Sequence, residues 1–323
     1  MAVKTLILLA LLAGAGVLGV RAIAAANERA AEAAYPPEGQ FVMADGVRMH
    51  AVVRGDGPDV VLIHGAGGSS RDFTFALMDQ LAPTYRVIAI DRPGQGWSGR
   101  KPGYSIWSRD AESPQDQARL LQATAAALGA DAPIVVGHSF GGAVAMAWAL
   151  ERPENLSGIV MLAGVSNEWE GGVGQFYNIT ASPIGGALLN ALAVAFVPQS
   201  YIDASVAGTF APQDPPAGYA DHFGPRMTAR REPLRANGRQ VHGLKPHIID
   251  MVPGYGAIDV PLEIIHGDAD TIVPLTVHSV PLSTQVPGAN LTVLEGVGHM
   301  PHHVDPDATL AAIDRAATRA GLR

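Results

Sequence analysis

Gly137-His138-Ser139-Phe140-Gly141 stands between two stretches of opposite character and constrains this chain more than any other feature. Ala132 to Val136 before it is a short apolar run of strand type, and Gly142 to Leu150 after it is alanine-rich and favours helix. A serine at a strand-to-helix turn, with glycine two residues away on each side, has the form of a nucleophile elbow. So tight a turn holds the serine in a strained backbone, and only glycine avoids collision at its flanks. The hydroxyl is pushed clear of the sheet, and the helix N-terminus behind it favours developing negative charge.

Other strand-type runs end in loops of equally telling composition. Asp59 to Ile63 leads into His64-Gly65-Ala66-Gly67-Gly68. Glycines there let backbone N–H groups point into a cavity, and acyl transfer needs two such donors for its oxyanion. Ala66 is the expected first donor, and Phe140, directly after the serine, the second. Arg86 to Ile90 leads into Asp91-Arg92-Pro93-Gly94-Gln95-Gly96-Trp97-Ser98, a loop shaped by glycine and proline. Asp91 and Arg92 are expected to make local polar contacts there rather than to act in catalysis.

Pro261 to Ile265 leads into His266-Gly267-Asp268-Ala269-Asp270. A carboxylate just past a strand end can orient a histidine, and spacing alone leaves Asp268 and Asp270 in competition. Asn290 to Leu294 leads into a loop carrying His299, His302 and His303. A general base needs this freedom to reach the serine, and His299 lies nearest the strand. Three histidines on one short loop, without cysteine or a carboxylate cluster at ligand spacing, do not have a metal-site pattern. No metal or cofactor is expected.

The order Ser139, Asp, His299 resembles that of the α/β-hydrolase fold family, of the type with a helical cap. The family pattern H-G-x-G resembles His64 to Gly67, D-x-x-G-x-G-x-S resembles Asp91 to Ser98, and G-x-G-H resembles the segment ending at His299. The pattern G-x-x-D-x-x-V-P resembles Gly267 to Pro274 and places the acid on Asp270. The resemblance runs from about Phe41 to the C-terminus. It implies the catalytic residues Ser139, Asp270 and His299, the oxyanion donors Ala66 and Phe140, and hydrolysis of a small apolar carboxylic ester. Serine at the elbow argues against the family's haloalkane dehalogenases and epoxide hydrolases. Cofactor-free haloperoxidases, carbon–carbon bond hydrolases and a non-catalytic ligand-binding member are the alternatives.

The strand runs alternate with helical stretches, which predicts an α/β fold with a mostly parallel sheet covered on both faces. An opening hairpin is expected at Phe41 to Val53, around Asp45-Gly46. Ser113-Pro114 and Asp305-Pro306 are expected helix starts. Residues 41–166 and 259–323 form the expected hydrolase core. Residues 167–258 break the alternation and are the expected cap insertion. Within it, Ile184 to Val197 is nearly all apolar, fitting either a cap helix packed on the core or a surface turned toward substrate or membrane.

Residues 1–26 differ from the rest. No charge occurs between Lys4 and Arg21. The run is at the border between a spanning helix and a signal-peptide core. It reads as an uncleaved inner-membrane anchor with the catalytic domain outside the cytoplasm. Signal cleavage near Ala24 or Ala26, or a buried N-terminal helix, are the alternatives. Residues 27–40 read as a linker, which makes 1–35 dispensable for folding and reaction. The net charge of −8 and the lack of a basic block exclude nucleic acid as an expected partner.

Overall fold

Asp45 and Gly46 both take positive φ, 47° and 77°, and this pair of left-handed residues turns β1 (Gln40–Ala44) back on β2 (Val47–Arg54) as the hairpin predicts. The computed structural model describes residues 2–104, 107 and 109–323, so Met1 of the N-terminal segment lies outside the described residues. The remaining strands are β3 (Asp59–Ile63), β4 (Arg86–Ile90), β5 (Ile134–His138), β6 (Gly158–Leu162), β7 (Leu262–Gly267) and β8 (Asn290–Leu294). Among the described residues these eight form one sheet in the order β1-β2-β4-β3-β5-β6-β7-β8. Pairing is antiparallel at β1–β2 and β2–β4 and parallel from β4 to β8.

Both sheet faces are buried, which is why these strands read as continuous apolar runs. Val61, Ile63, Ile88, Val135 and Met161 point to one face, where α4 (Pro114–Ala127) and α5 (Phe140–Glu151) lie. Val60, Leu62, Val87, Val136 and Leu162 point to the other. That face holds α2 (Arg71–Thr74), α3 (Leu77–Leu81) and α15 (Pro306–Arg319). Ser113 caps α4 through a full capping box with Asp116, and Asp305 caps α15 by accepting from the Ala308 N–H. Parallel register brings the C-terminal ends of β3, β5, β7 and β8 to one edge, where an open α/β sheet presents its functional loops.

The chain between β6 and β7 contains helices and no strand among the described residues. They are α6 (Gln175–Ala181), α7 (Pro183–Phe196), α8 (Gln199–Phe210), α9 (Tyr219–Phe223), α10 (Pro225–Thr228), α11 (Arg231–His242) and α12 (Leu244–Met251). Two short helices, α13 (Ser279–Gln285) and α14 (Pro301–Val304), flank β8.

The N-terminal segment departs from the expected boundaries. Helix α1 (Ala2–Ala34) runs through residue 26 and through most of the expected linker. Asn27 to Ala34 is rich in alanine and glutamate, good helix formers, and Pro36-Pro37 forbids continuation. Ala24 and Ala31 are buried against the body, and Tyr35 accepts a hydrogen bond from the Trp97 indole at 3.2 Å through its carbonyl. Residues 24–35 are therefore packed on the body rather than an extended linker. From Val3 to Leu18 the large side chains of α1 are exposed.

Candidate active site

Ser139 is one of three non-glycine residues with positive φ among those described, at φ 53° and ψ −118°. Such a conformation costs on the order of 1–3 kcal/mol and persists only when its surroundings dictate it. Here a Cβ on Gly137 would strike the Gly141 carbonyl oxygen, and a Cβ on Gly141 would strike that of Ile63. The Ser139 N–H donates to the Leu162 carbonyl at 3.0 Å, tying the turn to β6.

The Ser139 hydroxyl lies 2.9 Å from His299 Nε2, and His299 Nδ1 lies 2.7 Å from Asp270 Oδ2. The carboxylate can only accept, so the imidazole carries its proton on Nδ1 and presents the Nε2 lone pair to the serine O–H. Asp270 is held from behind. Its Oδ1 accepts from the Ile272 and Val273 N–H groups at 2.8 and 3.0 Å, and His266 Nε2 lies 3.2 Å from Oδ2. Burial pushes the Asp270 carboxyl up, but hydrogen bonds from His266 and His299 outweigh it and hold the group well below the usual carboxylate range. Asp268 does other work: its Oδ1 accepts from the Gly296 N–H at 2.7 Å and joins the β7 and β8 loops.

The loop after β3 is fixed from three sides. His64 Nδ1 donates to the Gly65 carbonyl and Nε2 accepts from the Arg92 N–H, each at 2.9 Å. Arg92 donates to the Gly65 carbonyl at 2.9 Å, and its guanidinium stacks 4.3 Å from the centre of the Phe140 ring. Asn237 of α11 accepts from the Gly67 N–H at 2.8 Å. Ala66 lines the same cavity as Ser139 and His299. Phe140 opens α5, so its N–H is one of the first-turn donors without an intrahelical partner.

His64 uses one ring nitrogen as acceptor, so it must stay neutral. Burial, with Arg92 adding to it, lowers its pKa to about 4. A depressed folded-state pKa stabilises above the unfolded value of about 6.5, and that stability is lost as pH falls toward about 4. His64 should therefore cost the fold about 2 kcal/mol between pH 7 and pH 4.5. Thermal unfolding of wild type and His64→Gln across this range checks it. The variant should be less stable at pH 7 with a shallower acid loss; an equal slope contradicts the assignment.

The chain matches the description "Alpha/beta hydrolase family" over residues 60–312. It belongs to the alpha/beta hydrolase family. It is 30% identical to a 2-hydroxymuconate semialdehyde hydrolase of Pseudomonas putida, over 82% of this chain and 88% of that protein. The esterase RhEst1 from Rhodococcus sp. ECU1013 superposes with a TM-score of 0.66 at 21% identity, covering 88% of this chain and 98% of that one. A membrane phospholipase A superposes with a TM-score of 0.65 at 18% identity, covering 98% of each chain. At these identities the two structures share the fold.

In this alpha/beta hydrolase a cavity of about 380 Å³ opens over Ser139. Its walls come from the β3 loop and from α7, α8 and α11, with residues such as Val194, Ile202, Val206 and Leu234. That is the size of a small-ligand site.

His302 and His303 do not reach Ser139. Their Nε2 atoms lie 3.3 and 2.8 Å from the buried carboxylate of Asp72, which also accepts from the Tyr219 hydroxyl at 2.7 Å. His138, beside the serine, donates from Nε2 to the His299 carbonyl at 2.9 Å. Asp72, His138 and His302 each place a ligand-type atom within 4.8 Å of the others, the one such group among the described residues. The Asp72 oxygens already serve three donors, so the group is organised as a hydrogen-bond cluster. Sequence reasoning missed Asp72 and Asn237. Neither sits in a local pattern, and their partners are far away in the chain.

Proposed function

We propose that this alpha/beta hydrolase cleaves a carboxylic ester through an acyl-enzyme, with Ser139 as nucleophile, His299 as base and Asp270 as its orienting acid. The observation that carries the reading is the hydrogen-bonded line from the Ser139 hydroxyl through His299 to Asp270. Oγ attacks the carbonyl carbon as His299 Nε2 takes its proton, and the Ala66 and Phe140 N–H groups hold the oxyanion. Collapse expels the alcohol, protonated by His299. Water then attacks the acyl-enzyme with its proton passing to Nε2, and the acid leaves. The apolar walls of the cavity favour an acyl or aryl group of moderate size.

Carbon–carbon bond hydrolysis is the second reading, favoured by the likeness to the Pseudomonas putida hydrolase. A series of p-nitrophenyl esters and 2-hydroxymuconate semialdehyde, assayed with the same full-length protein, separates the two. The best ester should exceed the semialdehyde in kcat/KM by about 100-fold or more, a gap of about 2.7 kcal/mol in transition-state binding. The reverse preference selects the second reading.

Helix α1 serves in this reading as a membrane anchor, with the catalytic domain outside the cytoplasm. It is long and apolar enough to cross a bilayer. Fractionation with protease accessibility tests this, and an intact chain in the soluble cytoplasm contradicts it.

A further inference from the structure

The last third of α1 is built into the cap. Asn27 Nδ2 donates to the Val194 and Ala195 carbonyls at 3.0 and 3.3 Å, at the end of α7. Glu28 accepts from the Arg231 backbone N–H at 2.7 Å and from its guanidinium at 2.6 Å, and Glu32 accepts from Arg230 at 2.7 Å. Asn27 and Glu28 also line the cavity that holds Ser139. The helix proposed as the anchor thus supplies part of the wall of the substrate site.

The distances along α1 fit a bilayer. Residues 5–20 carry no charge and span about 24 Å at 1.5 Å per residue, and Lys4 and Arg21 can extend their charges toward the interfaces. Hydrocarbon is about 30 Å thick, with a headgroup layer on each side. Asn27 and Glu28 lie six and seven residues past Arg21, roughly 10 Å along the axis, which brings the cavity wall to headgroup level.

The cap surface beside α1 matches that placement. No charged residue occurs between Glu170 and Asp203. Ile184, Tyr201 and Phe196 are 74%, 69% and 57% exposed, and Leu188 and Leu189 are also exposed. Helices α6 and α7 together have the length and apolar composition of a span, but they are bent by 106° and fold onto the cap instead. A large exposed apolar surface marks an interaction site, and aromatic residues favour the membrane interface. Because α7 is fastened to α1 at Asn27, this surface lies beside the end of the apolar run.

We infer that the apolar face of α6, α7 and α8 rests on the bilayer and that the substrate is a glycerolipid ester drawn from it, its acyl chain passing Asn27 and Glu28 to reach Ser139. This rests on the ester and anchor readings above. It adds the source of the substrate and the surface that delivers it.

The test uses the full-length chain in vesicles of phosphatidylethanolamine and phosphatidylglycerol. Two substrates are followed: water-soluble p-nitrophenyl butyrate and a fluorogenic glycerolipid carried in the vesicle. The double variant Ile184→Glu/Leu188→Glu changes exposed positions outside the cavity lining. It should lower turnover of the vesicle lipid at least tenfold and that of the soluble ester less than twofold. Unchanged lipid turnover, or wild type that cleaves only the soluble ester, overturns the inference and leaves the ester reading standing. Wild type that cleaves neither overturns both. If the variant loses both activities, Leu188→Trp decides the matter: quenching by lipids brominated on their acyl chains supports contact, and its absence overturns it.

Discussion

Ser139→Ala is expected to lower ester turnover by at least about 10⁴-fold, because the account allows no second nucleophile. The hydroxyl points at His299 and does not hold the turn together; the backbone bonds to Leu162 and Val165 do that. Alanine at φ 53° bears similar strain, so the melting temperature should change by less than about 3 °C. Steady-state assays and a thermal melt on the same preparation check both halves. Retention of more than a few per cent of wild-type turnover points to another nucleophile.

Asp270→Asn is expected to cost about 10³–10⁴-fold in kcat, and Asp268→Asn less than tenfold. The asparagine amide at 270 would donate to His299 Nδ1, forcing the ring proton onto Nε2, where it faces the serine and blocks general-base action. Asp268 accepts one backbone hydrogen bond, from Gly296, and an asparagine carbonyl can replace that acceptor. Parallel kinetics on the two purified variants decide the matter. Equal losses, or the larger loss at Asp268, make the acid assignment wrong.

The parts of this molecule that were legible in the sequence are those fixed by local chemistry. Each strand buried on both faces declared itself as an apolar run, and the turns declared themselves through residues that tolerate positive φ, such as Asp45-Gly46. Ser139 and His299, which the fold brings within 2.9 Å of each other, each follow a strand end within a glycine-bearing loop, a pattern visible locally. Asp270 needed more than spacing: it differs from Asp268 in facing the histidine while its neighbour faces a loop N–H. Contacts made across the fold left no local trace. Asn237 lies mid-helix in α11 and meets Gly67 at a separation of 170 residues, and Asp72 meets His302 at 230. The polar, linker-like composition of residues 27–34 hides the continuation of α1, which helix propensity and contacts with α7, Arg230 and Arg231 sustain to Ala34. The apolar run from Ile184 read two ways because α7 does both: Asn190, Ala191 and Val194 turn inward, while Leu188, Leu189 and Phe196 face outward.

Covalent capture tests the central claim most directly. The full-length protein and its Ser139→Ala variant would be treated with a fluorophosphonate probe and analysed by intact mass and peptide mapping. A single phosphonyl adduct on Ser139 is expected in the wild type and none in the variant. A well-folded wild-type protein that takes up no probe, or an adduct that persists in the variant, would contradict the claim.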